Sequence, residues 1–302
     1  MVVTVAGQDV LVRWLPLGWP RQVTEALRLL PRPAVLAAPR MSPGARRSAS
    51  DARVGWVDES GAAEIDLPNL AASKTGDPSG RLDANLGWRP ATLAVCEVLL
   101  AGNASATVSS VTDATGLAMS TAATALTFLQ RSGFLTSDVA RSREAGRRIA
   151  DRDGLVDAYA AAASRLRTPV SVQIGTLWRD PVAGAIEAGR RWTQAGLDWA
   201  ATSALSAAVL APTQTEIAPL EIYVAGRTPG DLRRAAAAAD LREIGGGRLV
   251  LRPFPTPVSA ALTITVPGEM RSAFWPRVYA DLRTTGVRGE DAAEHLRAEM
   301  TA

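Results

Sequence analysis

Three residue types that build many active sites are almost missing from this sequence of 302 residues, which contains one cysteine, one histidine and one lysine. The lone Cys96 excludes an intrachain disulfide framework. With Cys96 and His295 as the single residues of their kinds, a zinc site made of cysteine and histidine ligands is also excluded. Only carboxylates remain as metal ligands, and we expect the protein to use no metal and no other cofactor.

Long apolar runs are missing as well. No uninterrupted apolar stretch approaches the roughly 18 residues that a membrane-spanning helix needs. The first residues lack a basic segment followed by an apolar one and a cleavage site. Because 47% of the residues are hydrophobic, the chain can bury ordinary cores, and its length favours two or three domains. We expect a soluble protein in the cytoplasm, without a membrane partner.

Charge is nearly balanced over the whole chain. The net charge of +3 is small for this length, so the isoelectric point of 9.6 is weak support for nucleic-acid binding. Locally the balance is less even, because six arginines and three acidic residues lie between Arg131 and Arg152. This one segment therefore carries a net charge equal to that of the entire protein.

The basic segment lies beside the most informative pattern of the chain, TVSSVTDATGLAMSTAATALTFLQRSGFL, which runs from Thr107 to Leu135. A first apolar-periodic stretch ends at Gly116, a residue type that permits the left-handed conformation of a tight turn. Ser120 then suits the N-cap of a second helix. The pattern predicts helix, turn, helix and strand, and we interpret residues 88–152 as a winged helix-turn-helix domain that binds double-stranded DNA.

The outer face of the predicted recognition helix is rich in threonine. Threonine hydroxyls can bind phosphates and threonine methyl groups can contact thymine, but bidentate base readers are missing from the first two turns. Arginines of the following wing can hold phosphates or enter a minor groove, while a solvated basic face is the alternative interpretation. The predicted DNA-binding residues are Ser120, Thr121, Thr124, Thr127, Arg131, Arg141, Arg143, Arg147 and Arg148.

Residues 1–68 alternate short apolar runs with helical patterns in the order β-β-α-β-α-β-β, which predicts a small α/β domain. The stretch PAVLAAPRMSPGARRSASDARVGWVDESGAAEI, from Pro33 to Ile65, resembles a restriction-endonuclease-like fragment that often precedes a winged helix in actinobacterial regulators. The resemblance implies a degenerate endonuclease-like fold for this domain.

Active nucleases of that fold hold Mg²⁺ with an acidic residue followed by an acidic-x-lysine unit. Asp58, Glu64 and Asp66 supply carboxylates here, but none of them is followed by a lysine in an acidic-x-lysine unit. We therefore expect this domain to be inactive, with Asp58 and Glu59 in a solvated hairpin turn.

The remaining regions are a connection and a second α/β pattern. Residues 69–87 are rich in glycine, serine, aspartate and proline and show no periodicity, which predicts a linker or a long loop. Residues 153–302 return to alternating strands and helices, with the alanine-rich stretch from Leu197 to Leu210 predicted as one helix. The expected fold class is a multi-domain α/β protein with a winged helix-turn-helix at its centre.

Several stretches of the last region are similar to the AbiEi-type antitoxin family of type IV toxin-antitoxin systems. They are GLDWAATSALSAAVLAP, LEIYVAG, GGRLVLRPFP and WPRVYADLRTTGVRGEDAAEHL. With the winged helix, the resemblance covers about residues 88 to 300. It implies a DNA-binding domain that represses its own promoter, and a C-terminal α/β domain, like a degenerate nucleotidyltransferase, that neutralises a nucleotidyltransferase toxin. Residues 1–68 are not part of the short antitoxins of this family.

We interpret the chain as a DNA-binding transcriptional regulator of AbiEi type, a repressor, and not as an enzyme. A working nucleotidyltransferase needs Gly-Ser and two acidic residues on one strand, whereas Thr202, Ser203 and Glu221 are the nearest equivalents here. Two alternatives stay open. The C-terminal domain could act mainly as an antitoxin that binds a nucleotidyltransferase toxin, or Asp58 and Glu64 could serve a metal-dependent nuclease.

Overall fold

The computed structural model of the protein describes all residues except 6, 16–17, 19, 32–33, 39–40, 60, 68–69, 75–86, 138–146, 213–218 and 302. The chain forms two compact units, one made of residues 1–82 with 285–294 and the other of residues 83–284 with 295–302. Both units combine helices with a sheet, which confirms the predicted α/β class. None of the described helices is long and apolar enough to cross a membrane.

The first unit is built on one six-stranded sheet. Its elements are β1 (Val2–Val5), β2 (Gln8–Trp14), α1 (Pro20–Leu29), β3 (Ala34–Ala38), α2 (Pro43–Asp51), β4 (Gly55–Asp58), β5 (Ala63–Leu67) and β6 (Leu70–Lys74). The strands lie in chain order, with β2, β3 and β4 parallel and the outer pairs antiparallel. The order of elements up to β5 is the predicted one.

The two helices of this unit follow from the parallel strands, because parallel neighbours need a crossover connection. Strand β3 is buried along its whole length, as expected for an apolar strand with neighbours on both sides. It shares a core with Met41 and Trp56. Ser42 is the N-cap of helix α2, since its Oγ accepts a hydrogen bond from the backbone N–H of Ala45 at 3.2 Å.

The prediction of a linker over residues 69–87 was wrong for its first part, because Leu70–Lys74 form strand β6. Strand β6 pairs with β5 in antiparallel register, from Leu70 opposite Leu67 to Lys74 opposite Ala63. The free edge of β5 supplies backbone hydrogen-bonding groups, which a polar sequence can use as well as an apolar one. Composition alone therefore missed this strand. Residues 75–86 lie outside the described residues.

Residues 285–294 belong to the first unit although they come from the far end of the chain. The carboxylate of Glu290 accepts a hydrogen bond from the backbone N–H of Gly44 at 2.6 Å, and that of Asp291 accepts one from Arg21 at 3.3 Å. Both N–H groups lie in the first turn of a helix, where the helix itself offers no acceptor and negative charge is favoured. The two carboxylates thus satisfy the N-termini of α2 and α1.

The second unit begins with three helices, a hairpin and a fourth helix. These are α3 (Pro90–Leu100), α4 (Val108–Thr115), α5 (Met119–Arg131), β7 (Leu135–Ser137), β8 (Arg147–Ile149) and α6 (Arg152–Arg165). The predicted order of helix, turn, helix and strand is confirmed, and Gly116 has the expected left-handed φ of 68°. Ser120 is not the N-cap. Helix α5 begins at Met119 after Ala118, because the short turn lets the Ala118 carbonyl accept the first helical hydrogen bonds.

The rest of the second unit is a seven-stranded sheet with helices. Its elements are β9 (Val172–Gly175), α7 (Pro181–Gln194), β10 (Trp199–Thr202), α8 (Ser203–Leu210), β11 (Leu220–Val224), α9 (Pro229–Ala238), β12 (Arg242–Glu243), β13 (Leu249–Pro253), β14 (Ile264–Val266), β15 (Met270–Ser272), α10 (Trp275–Leu282) and α11 (Val287–Thr301). The strand order is β12-β9-β13-β11-β10-β15-β14, and β11 and β13 at its centre are parallel. Helix α11 contributes residues to both units.

The prediction of one helix from Leu197 to Leu210 was wrong. The first part is strand β10, buried at all four positions between β11 and β15, and only the second part is helical. Ser203, with a positive φ of 52°, separates the strand from the helix. The helix preference of alanine is small per residue, and pairing at the centre of a sheet outweighed it.

Candidate nucleic-acid interface

An apolar core fixes the orientation of α5. Ala122, Leu126 and Leu129 are buried on its inner side, at the predicted spacing of i, i+4 and i+7, and α5 packs against α3 and α4. Trp88 meets Phe128 edge to face, with ring centres 5.5 Å apart. These contacts decide which side of α5 is turned to solvent.

The solvent side of α5 carries the polar residues predicted from the sequence. Ser120, Thr124 and Arg131 are exposed, whereas Thr121 and Thr127 are half-buried. Four of the five follow a spacing of i, i+4, i+7 and i+11, which places them on one side, with Thr121 at its margin. The Thr124 hydroxyl donates to the Ser120 carbonyl at 2.8 Å, so its lone pairs and its methyl group remain for a ligand.

A single glutamine joins the end of α5 to the hairpin of β7 and β8. Gln130 donates through Nε2 to the Oγ of Ser137 at 2.6 Å and accepts through Oε1 from the Nε of Arg147 at 2.7 Å. Ala106 forms an isolated bridge with Arg147 on the other side of β8. The hairpin is therefore held by side-chain and backbone bonds. Gln130 was not among the predicted site residues, because one glutamine in a helix gives no pattern that indicates a partner.

The two arginines of β8 lie on opposite faces of the hairpin, since successive residues of a strand alternate. Arg147 is half-buried on the side of Gln130, and Arg148 is exposed, opposite Thr136. Their side chains therefore lie on different sides of the hairpin. Arg141 and Arg143, predicted in the same wing, lie outside the described residues.

The groups gathered here are hydroxyls, threonine methyl groups and guanidinium groups. Hydroxyls and guanidinium groups are good partners for phosphate oxygens, and methyl groups can contact thymine. The exposed residues of the first two turns of α5 include no Asn, Gln, Arg or Lys. The arrangement is better suited to holding a nucleic-acid backbone than to reading individual bases.

Helix α3, which supports α5, is buried on all sides. Its Glu97 accepts hydrogen bonds from the hydroxyls of Tyr159 at 2.7 Å, Ser259 at 2.8 Å and Thr256. Burial raises the pKa of the Glu97 carboxyl, and these hydroxyl donors oppose the rise. A carboxylate in an apolar helix needs such partners. Cys96 beside it is a buried core residue.

Two of the three residues considered from the sequence as nearest equivalents of a nucleotidyltransferase site, Thr202 and Glu221, bind other side chains of the protein. The Thr202 hydroxyl donates to Asp281 at 2.6 Å. Glu221 is buried and accepts hydrogen bonds from Arg167 at 2.6 Å and Arg252 at 3.1 Å. Both positions take part in buried polar contacts within the second unit.

The interpretation of Asp58 as a solvated turn residue was wrong. Asp58 is buried, accepts backbone hydrogen bonds from Met41 at 3.2 Å and Ala62 at 3.3 Å, and pairs with Arg46 at 2.9 Å. A charged group inside a protein needs such pairing, and the fold supplies it at the end of β4. Glu64 is also hydrogen-bonded within the unit. The two carboxylates considered for a nuclease thus have structural partners.

In the described part of the chain, no group of three or more histidine, cysteine, aspartate or glutamate side chains is placed to hold a metal ion. Comparisons with protein-family models, with curated proteins and with solved structures found no match for this chain. A functional conclusion therefore has to come from the residues and geometry of the molecule itself.

Proposed function

We propose that the protein is a DNA-binding transcriptional regulator, a repressor, whose residues 88–152 act as a winged helix on double-stranded DNA. One observation carries this proposal. Helix α4, the left-handed turn at Gly116 and helix α5 stand beside a hairpin that Gln130 joins to α5 through both of its strands. In helix-turn-helix proteins the second helix enters the major groove, so α5 would contact bases while the hairpin lies on the backbone.

Most of the affinity in this proposal is electrostatic. The exposed side of α5 offers hydroxyls and one arginine, and the hairpin adds Arg147 and Arg148. Arginines that neutralise phosphates release counterions, and this term does not depend on sequence. Specificity then comes from the few threonine contacts and from DNA shape.

The similarity to AbiEi-type antitoxins extends the proposal. It is supported by the sequence stretches given above, chiefly the one from Trp275 to Leu296. On this basis the protein represses its own promoter in the cytoplasm, and its C-terminal α/β region has a nucleotidyltransferase toxin as a second partner. Co-purification of this chain with the product of a neighbouring nucleotidyltransferase gene would support the extension, and an isolated gene would remove its basis.

Fluorescence anisotropy with a labelled DNA duplex tests the proposal. Each lost phosphate contact lowers affinity roughly fivefold at about 0.15 M salt, so the variant with Arg131, Arg147 and Arg148 changed to Ala should bind roughly 100-fold more weakly. A matched variant with Arg190, Arg233 and Arg234 changed to Ala loses the same charge from exposed positions of the α/β region. Equal weakening of the two variants would show that net charge, and not this surface, binds DNA.

A further inference from the structure

The α/β region of the second unit contains a cleft of about 470 Å³ that the proposed DNA contacts do not use. It lies where the parallel strands β11 and β13 end, beside Gly226 and Phe254. Leu93 of α3 and Leu166 after α6 form part of its wall. Ligands of α/β proteins commonly bind at the carboxyl ends of parallel strands, and a cleft of this volume accommodates a molecule the size of a mononucleotide.

The charged residues of the cleft are mostly basic. They are Arg167, Arg227, Arg252, Arg277 and Asp198. Arg167 and Arg277 are engaged by buried carboxylates. Arg252 uses only its Nε, which donates to Glu221 at 3.1 Å, and its two terminal nitrogens make no hydrogen bond to the described residues. The exposed guanidinium of Arg227 likewise has no protein partner in the described part of the chain.

The single acidic residue of the cleft does not cancel this charge. Asp198 forms an ion pair with Arg271 at 3.7 Å, and the cleft has four arginines against this one carboxylate. Arg227 and the terminal nitrogens of Arg252 thus remain available to an anion. Guanidinium groups present paired N–H donors whose geometry matches the oxygens of a phosphate or a carboxylate.

Part of the remaining wall of the cleft is apolar. Phe254 stacks on the ring of Tyr223, with centres 5.7 Å apart and planes at 30°. Three prolines of the same segment, Pro253, Pro255 and Pro257, line the cleft beside it. An apolar ring of a ligand that lies against this wall loses contact with water, which is favourable. The arginines by themselves do not favour such a ring.

We propose that this cleft binds a small anionic molecule of about mononucleotide size, whose phosphate or carboxylate meets Arg227 and Arg252 and whose flat body lies against Phe254. The arginines select the charge of the ligand and the aromatic and proline wall selects its shape. Neither part requires a metal ion or a covalent step.

The ligand in this position also contacts the helix that supports α5. Pro90 and Leu93 of α3 line the cleft, and so does Thr256, whose hydroxyl donates to Glu97 of α3. Helix α3 in turn packs against α5. Through these contacts a bound anion would alter DNA affinity, an effect that rests on the proposed function.

Isothermal titration calorimetry on the full chain tests the binding step with four probes: adenosine 5′-monophosphate, adenosine, inorganic phosphate and salicylate. Adenosine 5′-monophosphate or salicylate should bind with a Kd below about 1 mM, and at least about tenfold more tightly than adenosine or inorganic phosphate. Binding of adenosine 5′-monophosphate without binding of salicylate identifies phosphate as the preferred group. Binding of salicylate without binding of adenosine 5′-monophosphate identifies carboxylate. Failure of both to bind overturns the proposal.

Three variants locate the binding. Arg227→Ala changes an exposed side chain, so it should fold normally and lower the affinity for the better probe roughly tenfold, as expected for a lost charge-assisted hydrogen bond. Arg252→Ala should have at least that effect. The control Arg233→Ala removes an exposed arginine outside the cleft and should leave the affinity unchanged. Binding of wild-type strength in both cleft variants overturns the assignment.

The two proposals fail separately. Calorimetry is performed without DNA, so a chain that binds the probe but no duplex keeps the cleft and refutes the DNA-binding function. A chain that binds duplex but no probe refutes the cleft. If the chain binds both the duplex and the probe, an equal DNA affinity with and without saturating probe refutes the coupling through α3.

Discussion

The solvent side of α5 and the cleft beside β11 and β13 are two polar surfaces of one unit, and they are built differently. On α5, short hydroxyl side chains alternate along a helix that ends at Arg131. The cleft instead brings arginines from distant parts of the chain around an apolar wall. A regular helix face suits a long repeating ligand such as a duplex, whereas a concave wall encloses a small molecule.

In these two proposals, the density of arginine along the sequence indicates only one of the two anion-binding surfaces. The arginines between Arg131 and Arg152 form a visible cluster in the sequence. Those of the cleft, such as Arg167 and Arg252, are far apart in the sequence and meet because both donate hydrogen bonds to Glu221 of β11. Arginines clustered in the sequence indicate the surface of α5 and its hairpin, whereas the fold brings together the arginines of the cleft.

The largest predicted effect concerns Glu97 of α3. It accepts a hydrogen bond from Thr256, which lines the cleft, and α3 packs against α5. Glu97→Ala should lower the free energy of unfolding by about 3 kcal/mol, because it leaves a cavity and removes the acceptor of the buried hydroxyls of Tyr159, Thr256 and Ser259. Urea unfolding followed by circular dichroism measures this loss. The exposed control Glu187→Ala should stay within about 0.5 kcal/mol of the wild type. A similarly small change in both variants would show that the hydrogen bonds to Glu97 contribute little to the free energy of unfolding.

The same carboxyl should make stability depend on pH. Because burial raises the pKa of folded Glu97, its contribution is fully present below the unfolded pKa and is lost as the pH rises through the folded pKa. Glu97→Gln lacks this titration. As the pH falls from about 8 to about 5, the free energy of unfolding of the wild type should therefore rise relative to that of the variant. A constant difference over this range contradicts the raised pKa.

A smaller effect is expected where Gln130 joins α5 to the hairpin. Gln130→Leu removes hydrogen bonds to Ser137 and Arg147, which should cost about 1 kcal/mol of stability and weaken duplex binding roughly fivefold. Gln194→Leu, at the exposed end of α7, is the control. Duplex affinity equal to that of the wild type would mean that the hairpin needs no support from α5, and that the first surface consists of the helix alone.

The smallest effect is expected at Thr124. Thr124→Val keeps the methyl group and removes a hydroxyl whose proton is already donated to the carbonyl of Ser120, so affinity for a selected duplex should fall less than about threefold. Anisotropy titration measures the change, with Thr301→Val as a matched control, since that exposed hydroxyl likewise donates to the carbonyl four residues before it. A loss beyond about tenfold would show that the hydroxyl reads a base, which would make the helix face more specific than its composition indicates.

Much of the fold could be predicted from the sequence, because local signals and tertiary structure agree there. Gly116 ends α4 as its conformational freedom predicts, and Pro181 begins α7. The predictions failed where pairing in a sheet outweighed local preference. Alanines before Ser203 entered β10 instead of a helix, and the polar stretch Leu70–Lys74 became a sheet edge.

The candidate sites show the same division. The exposed residues of α5 follow from helical spacing, so their common side could be predicted. Gln130, Glu97 and the buried Asp58 owe their roles to partners that are distant in sequence or lie across a turn, as Thr256 does for Glu97. A single sequence contains no signal for such pairs. The cleft could not be predicted for the same reason.

The salt dependence of duplex binding tests the central claim most directly. We predict that Arg147→Ala combined with Arg148→Ala weakens a selected and a shuffled duplex by similar factors, and that the slope of log affinity against log salt becomes less negative by about 2, as expected for two lost phosphate contacts. Loss of binding to the selected duplex alone, with nonspecific affinity and slope unchanged, would contradict an interface whose affinity comes mainly from the DNA backbone.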